Sequence, residues 1–330
     1  MTEPARVGVL LLQLGTPDAA TTPAVRRYLA EFLVDRRVID LPAVVWRPIL
    51  HGIVLRTRPA KTAALYRSIW TAEGSPLAVT TNAQAMALET RLSAMAGERV
   101  SVRVGMRYGN PSIASALDAF AAEGVARIVA FSMFPQYAGA TTGSSLEKLF
   151  AECGARRVVP SVRVVPPYYA DPAYIAAIAA VTREACPDID RADRVLFSFH
   201  GLPRRYVAAG DPYTVHCEET ARLLTGALAL DRNQATLVYQ SRFGSEPWLE
   251  PYTDLTLREL GRTAGRVVVL CPGFVADCLE TLEEIAIRGR EQFHEHGKGL
   301  YQSVPCVNAH PAWIDAMTTI AGRELGGWMG

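Results

Sequence analysis

The chain has 330 residues, long enough for two hydrophobic cores, and 49% apolar with 20% charged residues is the make-up of a soluble globular protein. A net charge of +1 excludes the broad basic field of a nucleic-acid binder, while leaving local arginines free to hold small anions. The six cysteines, at 153, 186, 217, 271, 278 and 306, form no C-x-x-C pair and predict reduced thiols in a cytoplasmic protein rather than a disulfide framework.

The N-terminal residues 1–6 carry no signal-peptide pattern and lead into a strand-like run. Strands are predicted at 7–13, 100–106, 127–134 and 157–165, then at 194–200, 235–241, 266–271 and 300–306. Between them lie helical patterns at 82–95, 112–123, 173–185, 214–228 and 277–294. A last helix at 311–325 can pack back on the first half. This alternation predicts an α/β fold of two similar Rossmann-like domains, each a mainly four-stranded parallel sheet flanked by helices. The boundary falls in the proline-interrupted stretch 160–172, giving domains 1–160 and 161–330. The most apolar stretch outside the strands, 41–55 (LPAVVWRPILHGIVL), is broken by prolines, Arg47 and His51 and is too short to cross a bilayer. It reads as a packed helix, or as a surface that touches a membrane transiently.

The segment 196–203, LFSFHGLP, ends an apolar run on His200 and stops it with Gly201 and Pro203. Open α/β sheets bind ligands beyond the carboxyl ends of their strands, so a histidine there is placed to move a proton in a crevice. The plainer reading is a core histidine donating to a backbone carbonyl. After the apolar run 267–271 comes PGFVADCLETLEE, in which Asp277, Glu280 and Glu284 stand at i, i+3 and i+7 on one face of the predicted helix. A helix N-terminus welcomes acids, which accounts for Asp277 but poorly for Glu284, two turns in. A divalent cation opposite His200 accounts for all three. Arg107 and Tyr108 follow the second strand, either to bind a carboxylate or as a surface arginine over a ring.

The loop 136–145, QYAGATTGSS, lacks the lysine of a P-loop, and no G-x-G-x-x-G stands at a strand–helix junction. It therefore reads as a glycine turn with serine caps rather than a nucleotide site. His294-Glu295-His296 closes a helix and reads as a dipole partner rather than a metal site. His216 and Cys217 read as structural.

Taken together, LLQLGTPD, DRRVIDLP, LYRSIW…GSPL, GMRYGNPS, FPQYAGATTGSS, SFHGLPRRYVAAGDPY, QSRFGSEPWLEPYTD and CPGFVADCLETLEEI closely resemble the signature segments of the ferrochelatases, in order and over nearly the whole chain. The resemblance implies a class II chelatase-like fold with a porphyrin cleft between its two domains. It implies a lyase-class enzyme that inserts Fe2+ into protoporphyrin IX, releasing two protons, at the last step of heme biosynthesis. Carried onto this sequence, it implies His200 and Glu280 as the catalytic, metal-handling pair, and Asp277 and Glu284 as an acidic path. It implies Leu14, Arg58, Tyr66, Ser75, Arg107, Tyr108 and Phe274 as porphyrin contacts. Its substrates are protoporphyrin IX and Fe2+, with no nucleic acid, at most transient membrane contact, and a monomer expected.

No cofactor is expected either. Animal members hold an iron–sulfur cluster through cysteines, three of them in a C-terminal extension. Here no cysteine follows Cys306, and the internal ligand position falls on Gly139. Cys278 stands where some members carry a histidine. Leu14 stands where members acting on coproporphyrin often have a tyrosine, which favours protoporphyrin IX.

Overall fold

The computed structural model describes residues 6–96 and 100–328; the stretch 1–5, read above for a signal peptide, lies outside them. The strands β1 (Val7–Thr16), β2 (Val100–Gly109), β3 (Arg127–Ser132) and β4 (Ser161–Val164) form one sheet in the order β2-β1-β3-β4. The strands β5 (Arg194–His200), β6 (Ala235–Gln240), β7 (Arg266–Leu270) and β8 (Leu300–Ser303) form a second in the order β6-β5-β7-β8. Every pairing is parallel. The two sheets thus repeat one topology.

The burial follows from that topology. A parallel strand covered on both faces has no solvent side, so β1 is a continuous apolar run with Val7 and Val9 through Leu12 fully buried. At the edge, β2 reverts to alternating buried and half-buried residues. The first core joins Leu10, Leu12 and Ile128 to Ile113, Leu117 and Phe120 of the helix Ile113–Ala122, with Leu149. The second joins Leu196, Val267 and Val269 to Leu257, Ile285 and Phe293. The helices Ile113–Ala122 and Pro172–Ala185 start on side-chain caps: Ser112 Oγ accepts from the Ser115 N–H (3.1 Å), and Asp171 from the Ala173 N–H (2.9 Å) just ahead of Pro172.

Two strands outrun their predicted ends. The β1–β2 pairing continues through Gly15↔Tyr108 and Thr16↔Gly109. Gly15 permits this, because it has a φ of +115° and a Cβ there would sit 1.8 Å from the Tyr108 carbonyl oxygen.

By contact density the chain divides into two units. One runs to Met133 and adds Ala138–Pro166 and the chain from Met317; the other comprises Phe134–Tyr137 and Pro167–Ala316. The division at Pro166–Pro167 falls inside the predicted stretch 160–172, a few residues after the cut at 160, and the last helix, Pro311–Leu325, is divided between the units. Among the described residues three segments wind as π-helix: Leu50–Val54, Gly139–Gly143 and Glu280–Gly289. Such windings are rare and collect at functional sites. These three fall in the apolar stretch, the glycine loop and the acidic segment that the sequence had marked. No helix among the described residues is long and apolar enough to cross a membrane.

Candidate active site

In the second sheet, the connections from β5 and β7 leave toward opposite edges, which makes the carboxyl ends of this adjacent pair the switch point where α/β sheets bind ligands. His200 is the last residue of β5, half-buried, with its Nδ1 2.7 Å from the Gly201 carbonyl oxygen. A carbonyl can only accept, so Nδ1 carries the proton, and the lone pair of the neutral ring lies on Nε2. The backbone contact of the plainer reading is therefore present, and it is what aims the basic nitrogen.

Gly201 is held tightly in turn. Its N–H donates to the Gln240 carbonyl (2.7 Å), and a Cβ on it would lie 2.8 Å from that oxygen and 3.1 Å from Trp248 Cε3. Further bonds tie the loop after β5 to the loop after β6: Arg204 N–H to the Pro247 carbonyl (3.0 Å) and Leu249 N–H to the Leu202 carbonyl (2.9 Å). Ion pairs of Arg204 with Glu250 and Arg205 with Glu246 flank them.

The acidic segment departs from the predicted regular helix. Asp277 precedes the helix instead of sharing its face, and its carboxylate is taken up by the Asn308 amide (2.7 Å), the Thr281 hydroxyl (2.9 Å) and the Cys306 N–H (3.3 Å). At 9% exposure it is a clamp on the turn after β7. Glu280 opens the π-helical winding, half-buried, its backbone carbonyl accepting from Gln240 Nε2 (2.9 Å). Glu284 accepts from both the N–H (2.9 Å) and the hydroxyl of Ser241, a non-glycine residue held at φ +67°. Glu283 is buried and pairs with Arg288 (2.9 Å); burial pushes its carboxyl above the usual range, against the pull of Arg288. Phe274 packs against the second core. Among the described residues, no three His, Cys, Asp or Glu side chains form a ready metal cage.

The first unit gathers its predicted residues at the carboxyl ends of β1 and β2 and on the helix Leu55–Ile69. Leu14 is half-buried near the end of β1, Arg58 is exposed, and Tyr66 is buried edge-on to Trp70. Ser75 is buried against the Thr16 hydroxyl (2.8 Å). Tyr108 is the clearest departure. It has no exposed surface, and its hydroxyl donates to Asp35 (2.8 Å), so it offers no face to a ligand here. Arg107 pairs with the same Asp35 and donates from Nε to the Ser144 hydroxyl (2.7 Å) and carbonyl (3.1 Å). The predicted serine cap at Ser144 thus serves this carboxylate, and the helix Ser144–Gly154 has no side-chain cap.

The roles of Asp35, Ser144, Gln240 and Ser241 are not visible in the sequence: Asp35 stands only within DRRVIDLP, Ser144 in the glycine loop, and Gln240 and Ser241 at the end of a predicted strand. His216 is more than filler: its Nδ1 accepts from the Tyr137 N–H (3.1 Å), its ring stacks on Tyr169 at 3.8 Å, and burial lowers its proton affinity, against the pull of Asp211.

Two sheets of this topology define a chelatase fold. SirB from Bacillus subtilis superposes with a TM-score of 0.55 at 12% identity, over 98% of this chain and 96% of its own. CbiX, described as the terminal enzyme of siroheme biosynthesis in denitrifying bacteria, gives 0.53 at 14%, over 97% and 100%. Sequence likeness narrows the class. The profile of the Ferrochelatase family matches residues 6–325. The ferrochelatase of Methylibium petroleiphilum is 50% identical over 324 residues, 98% of this chain and 89% of that protein. That of Alcanivorax borkumensis is 46% identical over 327 residues, 99% and 96% of the two chains. This chain belongs to the ferrochelatase family.

Proposed function

We propose that the protein is a lyase-class metal chelatase that inserts Fe2+ into protoporphyrin IX to give protoheme and two protons, at the last step of heme biosynthesis. The observation that carries this reading is the committed Nδ1–H of His200, which leaves Nε2 as a proton acceptor at a sheet switch point in a chain whose relatives are ferrochelatases.

A flat porphyrin shields its two N–H groups and presents its ring lone pairs poorly to a metal. Binding energy from the macrocycle and its carboxylates, spent on bending the ring, exposes both. His200 Nε2 then takes a pyrrole proton, and Glu280 replaces waters on the incoming iron. Glu284 lies one turn beyond Glu280 and passes protons outward, its orientation set by Ser241. Asp277 supports this path by clamping its first turn.

Leu14, Tyr66 and Phe274 contact the macrocycle, Arg58 and Ser75 serve its carboxylates, and Arg107 lies at the pocket wall with Tyr108 supporting it from behind. The enzyme works without an iron–sulfur cluster, since Gly139 offers no thiol at the internal ligand position. It acts as a monomer in the cytoplasm; the six free, buried cysteines support a reducing compartment. Exposed Val44, Val45 and Ile53 support brief membrane contact.

Anaerobic incubation with Fe2+ and protoporphyrin IX tests the proposal. Catalytic conversion of free-base absorbance to that of heme, blocked by an N-alkylated porphyrin, is expected. Binding without turnover, or turnover only of coproporphyrin III, would overturn it.

A further inference from the structure

Asp35 gathers an unusual number of donors for one surface-loop carboxylate. Its Oδ2 accepts from Arg107, from the Tyr108 hydroxyl (2.8 Å) and from the Ser144 hydroxyl (2.5 Å), and its Oδ1 from the Arg37 N–H (2.8 Å). The Asp35 side chain is 7% exposed and that of Arg107 17%. Burial alone would raise the carboxyl's proton affinity, yet the Ser144, Arg37 and Tyr108 hydrogen bonds and the Arg107 charge hold it below the ordinary aspartate value. It is therefore an anion at every physiological pH, and the guanidinium beside it is neutralised in place.

The location gives this pair its meaning. Arg107 stands at the carboxyl end of β2, on the edge of the sheet where ligands bind. An open guanidinium there would attract carboxylates bidentately. This one instead spends its Nε on Ser144 and its charge on Asp35.

We infer that Asp35 is a positioning residue for substrate choice: by closing the ion pair with Arg107 it leaves this pocket wall without net positive charge, so porphyrins with two carboxylates are accepted over porphyrins with four. The inference rests on the ferrochelatase reading and deepens it.

The test compares dissociation constants, by quenching of protein fluorescence, for protoporphyrin IX (two carboxylates) and coproporphyrin III (four). Asp35→Asn keeps the shape and exposes the Arg107 charge. The preference for protoporphyrin IX is expected to fall about three- to tenfold, the size of one partly screened charge interaction. It should return in the double variant Asp35→Asn with Arg107→Gln. A general loosening of the fold would weaken both porphyrins alike and leave the ratio unmoved, and an unmoved ratio overturns the inference.

Should Asp35→Asn fail to fold, Arg107→Gln alone leaves an uncompensated negative charge. The preference for protoporphyrin IX must then rise, and a fall or no change overturns the inference. Wild-type protein that binds neither porphyrin would instead sink the ferrochelatase reading, and this inference with it.

Discussion

Gly201→Ala probes the link between the loop after β5 and the chemistry. The new methyl group would sit 2.8 Å from the Gln240 carbonyl oxygen and 3.1 Å from Trp248 Cε3. Neither neighbour yields cheaply: one is the backbone acceptor of Gly201's own N–H, the other an indole with 4% exposure. Overpacking of this kind costs about 1–3 kcal/mol. Relief comes only by moving the loop, which carries the Gly201 carbonyl away from His200 Nδ1 at 2.7 Å. Losing that bond costs roughly 0.5–1.5 kcal/mol of orientation. A misplacement of about 1 Å in a reacting group costs on the order of a hundredfold in rate.

The expected variant is therefore folded, less stable by about 1–3 kcal/mol in urea titrations with an unchanged m-value, and slower in kcat by roughly ten- to a hundredfold. Its KM for porphyrin should stay near the wild-type value. Wild-type stability together with wild-type kcat would refute the packing argument. A stability loss with kcat intact would show that the Gly201 carbonyl does not orient the imidazole.

Asp277→Ala removes the buried carboxylate that accepts from the Asn308 amide, the Thr281 hydroxyl and the Cys306 N–H and should cost about 2–4 kcal/mol, far more than Glu280→Gln, which keeps a side chain of the same shape; equal melting temperatures for the two variants would contradict this. Ser241→Ala removes the hydroxyl donor to Glu284 while keeping a side chain at φ +67°. It should lower kcat severalfold, where Ser241→Gly, which relieves the backbone cost, should be the more stable of the pair; the reverse order of stability would count against the strained-turn reading. His216 favours its neutral form in the fold because burial lowers its pKa from 6.5 and its Nδ1 accepts from Tyr137. The unfolded chain binds that proton more readily, so the contribution to stability is full above about pH 6.5 and fades as pH falls through the lower folded value. His216→Gln should flatten the slope of stability against pH between about 5 and 7, and a slope equal to wild type would rule this out.

Much of the fold was legible because buried parallel strands announce themselves as apolar runs stopped by glycine and proline. The strand ending in His200-Gly201-Leu202-Pro203 has the predicted bounds, Arg194–His200. Ends set by partners were not legible: β1 runs on to Thr16 because Gly15 lets it stay paired with Tyr108, a contact between residues far apart in the chain. The acidic segment read as a regular helix from Asp277, since local spacing cannot separate a π-helical winding from an α-helical one, and the anchoring of Asp277 by Asn308 is again long-range. His200 could be singled out because a titratable side chain ended an apolar strand. Asp35 could not, because nothing local separates a charge followed by two arginines from a solvated one until β2 and the helix Ser144–Gly154 are brought to it.

In the proposed mechanism His200 Nε2 accepts the porphyrin's protons, and His200→Ala removes that acceptor. Measured side by side, the variant should bind protoporphyrin IX with an affinity close to wild type and insert Fe2+ at a rate reduced by about a thousandfold or more. Insertion at near wild-type rate with binding intact would contradict the account.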